Sequence, residues 1–202
     1  MATCTKPLRK SLINNLKIKK MKKTLSILAI LITAFSFSQD IKKEAEKEKT
    51  KMEAFASKTG VITKFTDTKL SDIKSSYTVS STRIRKINSG DSQRYFYQIE
   101  KPGKYSNSTA SIEYSDLLEV IKAFNSLKSE VDNDVNSQPD YLENKFITAD
   151  GFQLGYYISK EKATWYLKLE KYGSDSTIFI KDLEQIESNF MEAKNKIEEL
   201  KK

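Results

Sequence analysis

Strict alternation of apolar and polar residues is the feature that most limits how this chain can fold. In its second half the alternating apolar residues are Phe152, Leu154, Tyr156, Ile158, Trp165, Leu167 and Leu169. A period of two places such residues on one face of a strand. Asp150-Gly151, just before the first run, is a two-residue hairpin signal. The second half therefore predicts antiparallel strands with one buried face.

The first half carries the same period less regularly. Its predicted strand residues are Val61, Thr63, Phe65, Tyr77, Val79, Ile84, Ile87, Tyr95, Tyr97, Ile99, Ala110 and Ile112. The alternation breaks between Ile84 and Ile87, which indicates a bulge. Turns are predicted at 89–91 and at 101–104, where Gly or Pro interrupts the pattern. Four strands are thus expected before residue 114.

Three segments carry apolar residues at helical spacing instead. Residues 39–59 predict a charged helix with a thin apolar stripe. Asp116 and Glu119 have the spacing of a capping box at the start of a helix that ends near Asp132. Asp182 is the expected N-cap of a last helix, whose apolar stripe runs to Leu200.

The two halves also resemble each other. YFYQIEK (95–101) matches WYLKLEK (165–171), and apolar and cap positions downstream match as well. The predicted fold class is α+β: a mainly antiparallel sheet from two tandem β4α repeats, 60–131 and 141–202, with helices on one face. A polar linker, 132–140, would separate them. The alternative is a chance likeness between two strand-to-helix junctions.

The first 38 residues differ from the rest in composition. A basic segment, 1–23, precedes an apolar run at 25–35 and a small-x-small triplet at 36–38. This order predicts a secretory signal cleaved after Ser38, with Met21 as an alternative start. The apolar run is shorter than the roughly 20 residues of a membrane span. The expected product is periplasmic or secreted, without stable membrane insertion.

The charge balance and two missing residue types exclude several classes of function. The first 38 residues hold eight of the 35 Lys and Arg residues and none of the 27 Asp and Glu residues, so 39–202 is neutral. A neutral domain has no basic footprint for nucleic acid. There is no His, and the one Cys is Cys4. His- or Cys-based catalysis and metal sites are therefore not expected, and no cofactor is predicted.

A cluster of oxygen ligands at the linker resembles a calcium-loop pattern. Asp132, Asp134, Asn136, Asp140 and Glu143 stand at positions 1, 3, 5, 9 and 12, and such ligands suit Ca²⁺. Ser137 replaces the usual Gly, however, and Pro139 replaces an apolar residue. A calcium-stabilised structural module is one alternative function, and an ordinary polar linker is the simpler interpretation.

Neighbouring aromatic residues suggest where binding could occur. Tyr95-Phe96-Tyr97, Tyr156-Tyr157 and Trp165-Tyr166 must point to both faces of a sheet. A Tyr-lined outer face could bind a protein, peptide or glycan, although cross-strand pairing alone also explains these aromatics. We expect a non-enzymatic interaction domain of the bacterial envelope. The alternative is a carboxylate- or Tyr-based hydrolase, in which distant acids converge with raised pKa values.

Three segments resemble a known group of proteins. They are STASIEYSDL (108–117), FITADGFQLGYY (146–157) and KYGSDSTIFIKDLEQI (171–186). Together they are similar to small exported bacterial proteins without an assigned function. The resemblance implies a shared domain over most of 39–202, and it carries no catalytic or binding residue to this chain.

Overall fold

The computed structural model describes residues 49–75, 77–172 and 175–202, so the predicted signal lies outside the described residues. Within them, five strands form a first sheet and four form a second. The first-sheet strands are β1 (Thr63–Lys69), β2 (Ile73–Lys74), β3 (Val79–Ser89), β4 (Ser92–Lys101) and β5 (Ser108–Glu113). The second-sheet strands are β6 (Leu142–Ile147), β7 (Gln153–Ser159), β8 (Lys162–Lys168) and β9 (Thr177–Ile180). The helices are α1 (Lys51–Ala56), α2 (Tyr114–Asn136) and α3 (Leu183–Leu200).

Every strand pair in both sheets is antiparallel, which confirms the mixed α+β class. Sheet 1 has the order β1-β3-β4-β5, with β2 also paired to β3, and sheet 2 has the order β6-β7-β8-β9. The expected single sheet is wrong for the described residues, because β5 and sheet 2 meet through side chains. Glu170 accepts the Thr109 N–H at 2.9 Å, and Lys101 forms an ion pair with Asp175.

One hydrophobic core lies between the two long helices and the inner faces of both sheets. Its largest buried side chains include Tyr97, Tyr156, Phe124 and Phe190. Phe124 makes edge contacts with Phe190 at 6.0 Å and with Trp165 at 5.8 Å between ring centroids. Such pairs add about 1 kcal/mol each beyond the area they bury. This core joins α2 to both sheets.

A second, smaller cluster lies on the opposite face of sheet 1. Phe55 of α1 packs there against Ile87 and Phe96, beside the partly buried Met52. The alternation of β4 explains the arrangement, since Tyr95 and Tyr97 enter the main core while Phe96 points the other way. Short as it is, α1 has a complete capping box between Thr50 and Glu53. The remainder of the predicted charged helix, 39–48, lies outside the described residues.

The boundaries of the long helices differ from the sequence prediction in one case and agree in the other. Helix α2 begins at Tyr114, and its N-cap Glu113 makes no side-chain cap hydrogen bond, so the capping box at Asp116 is wrong. It also continues to Asn136, because Val131 and Val135 still pack against the core. The Asp182 cap of α3 is confirmed by a 3.1 Å bond from the Gln185 N–H. None of the described helices is long and apolar enough to cross a membrane.

Candidate functional site

The face of sheet 2 that points away from the core is the candidate site, here called the outer face of sheet 2. The strand register arranges its residues in three rows across the sheet. The rows are Ile147, Gln153, Lys168 and Thr177, then Lys145, Gly155, Tyr166 and Phe179, then Glu143, Tyr157 and Thr164. Their inner-face neighbours, such as Tyr156 and Leu167, fill the core.

Aromatic and apolar side chains on this face meet solvent. Ile147 and Phe179 are 50% and 45% exposed, although each lies on a regular strand. Tyr141, just before β6, stacks on Tyr157 with 6.4 Å between ring centroids and an interplanar angle of 23°. The two rings together form an exposed aromatic platform beside the apolar residues of the face. The predicted Tyr-bearing outer face is thus found on sheet 2.

Gly155 fixes the middle of the face. A side chain at this position would meet the Asn144 carbonyl oxygen and come within 2.6 Å of the Lys145 Cβ. Strands β6 and β7 therefore approach each other in a way that only glycine permits. Tyr166 lies beside Gly155 in the register and is 6% exposed. We interpret this as the tyrosine ring filling the space that glycine leaves on the sheet surface.

The one carboxylate in the three rows, Glu143, is paired with neighbours on the same face. Glu143 accepts the Tyr166 hydroxyl at 2.7 Å through one oxygen and the Lys145 ammonium at 2.9 Å through the other. The Tyr166 hydrogen bond and then Lys145 hold the pKa of Glu143 below its ordinary value. Burial, and then the Glu143 carboxylate, raise the pKa of the Tyr166 hydroxyl. At neutral pH the two groups form a stable donor–acceptor pair beneath the exposed rings.

The five calcium-loop residues are not brought together. Asp132, Asp134 and Asn136 lie on helix α2 rather than on a loop, and Asp140 precedes β6. Asp134 faces the core side, where it accepts the Tyr156 hydroxyl at 2.5 Å, whereas Glu143 lies on the outer face. Opposite faces of a sheet cannot share one ion. Within the described ranges, no three acidic, His or Cys side chains are arranged to hold a metal.

Another group of carboxylates does converge from distant parts of the sequence. The Lys51 ammonium binds both oxygens of Asp116, at 2.6 and 2.7 Å, and lies 3.9 Å from Glu113. The Lys51 N–H donates to both oxygens of Asp150, at 3.0 and 3.1 Å. Burial raises the pKa of Asp150, the direction that the hydrolase alternative requires. These contacts nevertheless engage the carboxylates as anchors for the start of α1.

The sequence predicts this face but not two of its exposed members, Ile147 and Phe179. The alternation of β7 and β8 places Tyr157 and Tyr166 on the side opposite the core. Ile147 and Phe179 lie on strands of six and four residues, too short for periodicity to separate the faces. Gly155, a single glycine within a strand pattern, was the signal for a close backbone approach.

Comparisons of the chain with protein-family models, with curated proteins and with solved structures found no match. The candidate site consequently depends on its own geometry: an aromatic platform, paired charges and a glycine-defined centre. No residue role enters from another protein.

Proposed function

We propose that residues 39–202 form a non-enzymatic interaction domain, working in the periplasm or outside the cell, whose outer face of sheet 2 binds another protein. The observation that carries this proposal is the exposure of Ile147 and Phe179 beside the stacked Tyr141 and Tyr157. Aromatic residues are enriched in the buried centres of protein interfaces. The basic and apolar segments before residue 39 support the export part of the proposal.

The exposed apolar residues of the face favour a protein over a glycan. The one carboxylate in the three rows, Glu143, is not free to bind sugar hydroxyls, because both of its oxygens are already engaged by Tyr166 and Lys145. Apart from the tyrosines, the other polar side chains in the rows are Gln153, Lys168, Thr164 and Thr177. Ile147 and Phe179 offer no polar atoms beyond the backbone, and they suit apolar side chains of a partner.

A comparison with sheet 1 supports the same conclusion. We propose that the halves 60–131 and 141–202 are tandem repeats, which makes Phe96 and Tyr166 equivalent positions. The repeat is supported by the order of an antiparallel sheet followed by a long helix in both halves, although sheet 1 has one strand more, the short β2, than sheet 2. On sheet 1, α1 covers Phe96 with Phe55. A bound partner would cover the outer face of sheet 2 in the corresponding way.

The size of the face sets an expectation for affinity. Four strands about 4.8 Å apart and about seven residues long cover roughly 14 by 23 Å. That area, about 300 Å², is well below the roughly 800 Å² that each partner buries in a standard interface. We therefore expect a transient complex with a dissociation constant in the micromolar range.

Photocrosslinking in the cell tests this proposal at a defined position. The crosslinking amino acid p-benzoylphenylalanine replaces Phe179, and in a matched control it replaces Tyr105, which is 90% exposed in the β4–β5 connection. We expect a discrete protein adduct from position 179 that is absent from position 105. Adding Tyr141→Ser and Tyr157→Ser should reduce its yield about tenfold, since the platform supplies most of the contact.

Two results would count against the proposal. The same set of adducts from positions 179 and 105 would show unspecific encounters rather than binding. An adduct at 179 that keeps its yield after both tyrosine substitutions would show that the platform contributes nothing. Circular dichroism of each variant confirms that the fold persists, which is expected because Tyr141 is 63% exposed and Tyr157 is partly exposed.

A further inference from the structure

Strand β1 is an edge strand whose outward backbone groups can be identified. The Leu70 N–H bonds the Thr82 carbonyl at 3.0 Å, and the Gly90 N–H bonds the Ile62 carbonyl at 3.4 Å. In an antiparallel pair the bonded positions alternate, so Lys64, Thr66 and Thr68 also face β3. The N–H and C=O groups of the remaining residues point to the open edge. Those residues are Thr63, Phe65, Asp67 and Lys69.

Side chains cover two other stretches of backbone at the edges of sheet 1. Past the end of β1, Glu192 accepts the Ser71 N–H at 3.3 Å, Gln185 accepts the Lys74 N–H at 2.9 Å, and Asn189 donates to the Ser71 carbonyl at 2.7 Å. At the far edge of sheet 1, Glu170 accepts the Thr109 N–H. No hydrogen bond of this kind reaches the four outward residues of β1 from the described part of the chain.

A groove runs between the end of β1 and helix α3. It has a volume of about 660 Å³, and Thr68, Met191 and Asn195 are among the residues that line it. Glu192 and Glu199 contribute carboxylates to the same groove, and Lys69 and Lys196 contribute ammonium groups. A strand added to the β1 edge would direct every second side chain toward this side of the sheet.

We propose that this edge pairs with β1 of a second copy of the chain, antiparallel, about a two-fold axis at Thr66. In this register Phe65 faces Asp67 of the second copy, and Thr63 faces Lys69 of the second copy. All four outward residues of each copy then exchange backbone hydrogen bonds. A shift by two residues in one direction would set Asp67 against itself, and a shift in the other would leave Lys69 beyond the strand.

Charge complementarity supports a second copy as the occupant. The same register places Lys64 of the second copy opposite Thr68, which lines the groove. The ammonium group would therefore approach the carboxylate of Glu192, which forms no ion pair within the described residues, whereas Lys196 already binds both oxygens of Glu199, at 2.8 and 2.9 Å. Thr66 faces its own symmetry mate, and Thr–Thr pairs stabilise antiparallel strands. Phe65, 50% exposed in one copy, would be shielded along the new strand pair.

Disulfide trapping tests the register directly. A Cys4→Ser background leaves an introduced cysteine alone in the sequence. In the proposed pair, Thr66 and its symmetry mate are a non-hydrogen-bonded pair with Cα atoms about 4.5 Å apart, within the range of a disulfide. We expect Thr66→Cys to form covalent dimers at least tenfold faster than Thr68→Cys. Equal rates for the two variants would overturn the proposal.

Charge substitution at the same position gives an independent readout by sedimentation equilibrium of the purified chain. Thr66 is exposed, so Thr66→Lys and Thr66→Glu should both fold. Each variant alone should dimerise at least tenfold more weakly than the wild-type chain, and an equal mixture should recover dimers. A wild-type chain that stays monomeric at about 0.5 mM, or a dimer unaffected by either charge, would overturn the proposal. If the wild-type chain is monomeric, the β1 edge does not pair with a second copy, and a strand of a different polypeptide becomes the partner to test.

Discussion

The outer faces of the two sheets arise from the same strand alternation and present opposite chemistry. On sheet 1 this face carries ion pairs across neighbouring strands. Arg85 binds both oxygens of Asp67, at 2.8 and 2.7 Å, and Arg83 contacts Gln98 at 2.8 Å and Glu100 at 2.9 Å. On sheet 2 the corresponding surface is aromatic, and its main acid, Glu143, is already paired with Lys145.

The two outer faces also differ in whether another element of the chain packs over them. Helix α1 lies on sheet 1, so Phe96 is fully buried although it points away from the main core. Phe179 points away from the core of sheet 2 and remains 45% exposed. An outer-face aromatic residue therefore stabilises the fold only where another part of the chain packs over it. Where no part of the described chain does so, the ring is available to a partner.

The largest expected effect separates these two phenylalanines. Phe96→Ala removes a fully buried ring and should lower the free energy of unfolding by about 4 kcal/mol. Phe179→Ala, the matched change on sheet 2, should cost about 1 kcal/mol or less because the ring is half exposed. Urea denaturation followed by tryptophan fluorescence measures both. Similar losses for the two variants would remove the distinction between a covered and an uncovered face.

A smaller loss is expected at the centre of sheet 2. Gly155→Ala forces a methyl group against the backbone of β6 and should destabilise the protein by about 3 kcal/mol. Thr164→Ala, on the same face of the neighbouring strand, provides the control and should cost less than about 1 kcal/mol. Thermal unfolding by circular dichroism distinguishes them. If Gly155→Ala left the stability unchanged, β6 and β7 could move apart without cost, and the close approach at Gly155 would not be needed for the fold.

Removing the Tyr166 hydroxyl should lower the free energy of unfolding by a smaller amount, which depends on pH. Tyr166→Phe removes a hydrogen bond to Glu143 and should cost about 1 kcal/mol at pH 7. The pKa of Tyr166 is raised in the folded protein, so its contribution is present below the ordinary value near 10 and is lost as pH rises beyond it. The pKa of Glu143 is lowered, so its contribution is present above about 4.3 and is lost at lower pH.

Stability measured from pH 3 to pH 11 tests both windows. The difference between wild-type protein and Tyr166→Phe should be widest between pH 5 and pH 9 and should narrow at either end. Tyr157→Phe is the control, because its hydroxyl makes no hydrogen bond within the described residues. A difference that stays constant with pH would show that the hydroxyl acts through packing alone.

Most of the strand pattern followed from the sequence, because one face of each sheet packs on a common core. The alternation of residues 152–158 correctly separates Tyr156 in the core from Tyr157 on the outer face. The Asp182 cap was predictable as well, since a cap hydrogen bond is local. Asp116 had the same local spacing, yet its carboxylate binds Lys51, a partner 65 positions away.

The features that the sequence did not predict depend on contacts between residues far apart in the chain. The apolar residues of β1 lie at strand spacing, but Phe65 is half exposed because β1 ended at the edge of its sheet. Likewise, Asp134 and Glu143 have the sequence spacing of a calcium loop. In the structure they lie on opposite sides of sheet 2. The alternation of apolar and polar residues shows which side chains share a face of a strand. Which elements pack against that face depends on the tertiary arrangement.

The smallest expected effect concerns the ion pairs on sheet 1. The hydrogen bond from Arg85 holds the pKa of Asp67 below its ordinary value, so the pair stabilises the fold above about pH 3.9 and loses this contribution as pH falls. Asp67 is partly exposed, and Asp67→Asn should cost less than about 1 kcal/mol at pH 7. The cost should shrink below pH 4 and in 1 M salt, because protonation and screening each weaken the pair.

Phe55→Ala is the informative comparison for that last measurement. It removes a ring that is 8% exposed and that covers Ile87 and Phe96, and it should cost about 3 kcal/mol at any salt concentration. A larger effect from Asp67→Asn than from Phe55→Ala would reverse the interpretation of sheet 1. Its outer face would then be stabilised by charge rather than by the cover that α1 provides, and the lack of a cover on sheet 2 would no longer indicate a binding surface.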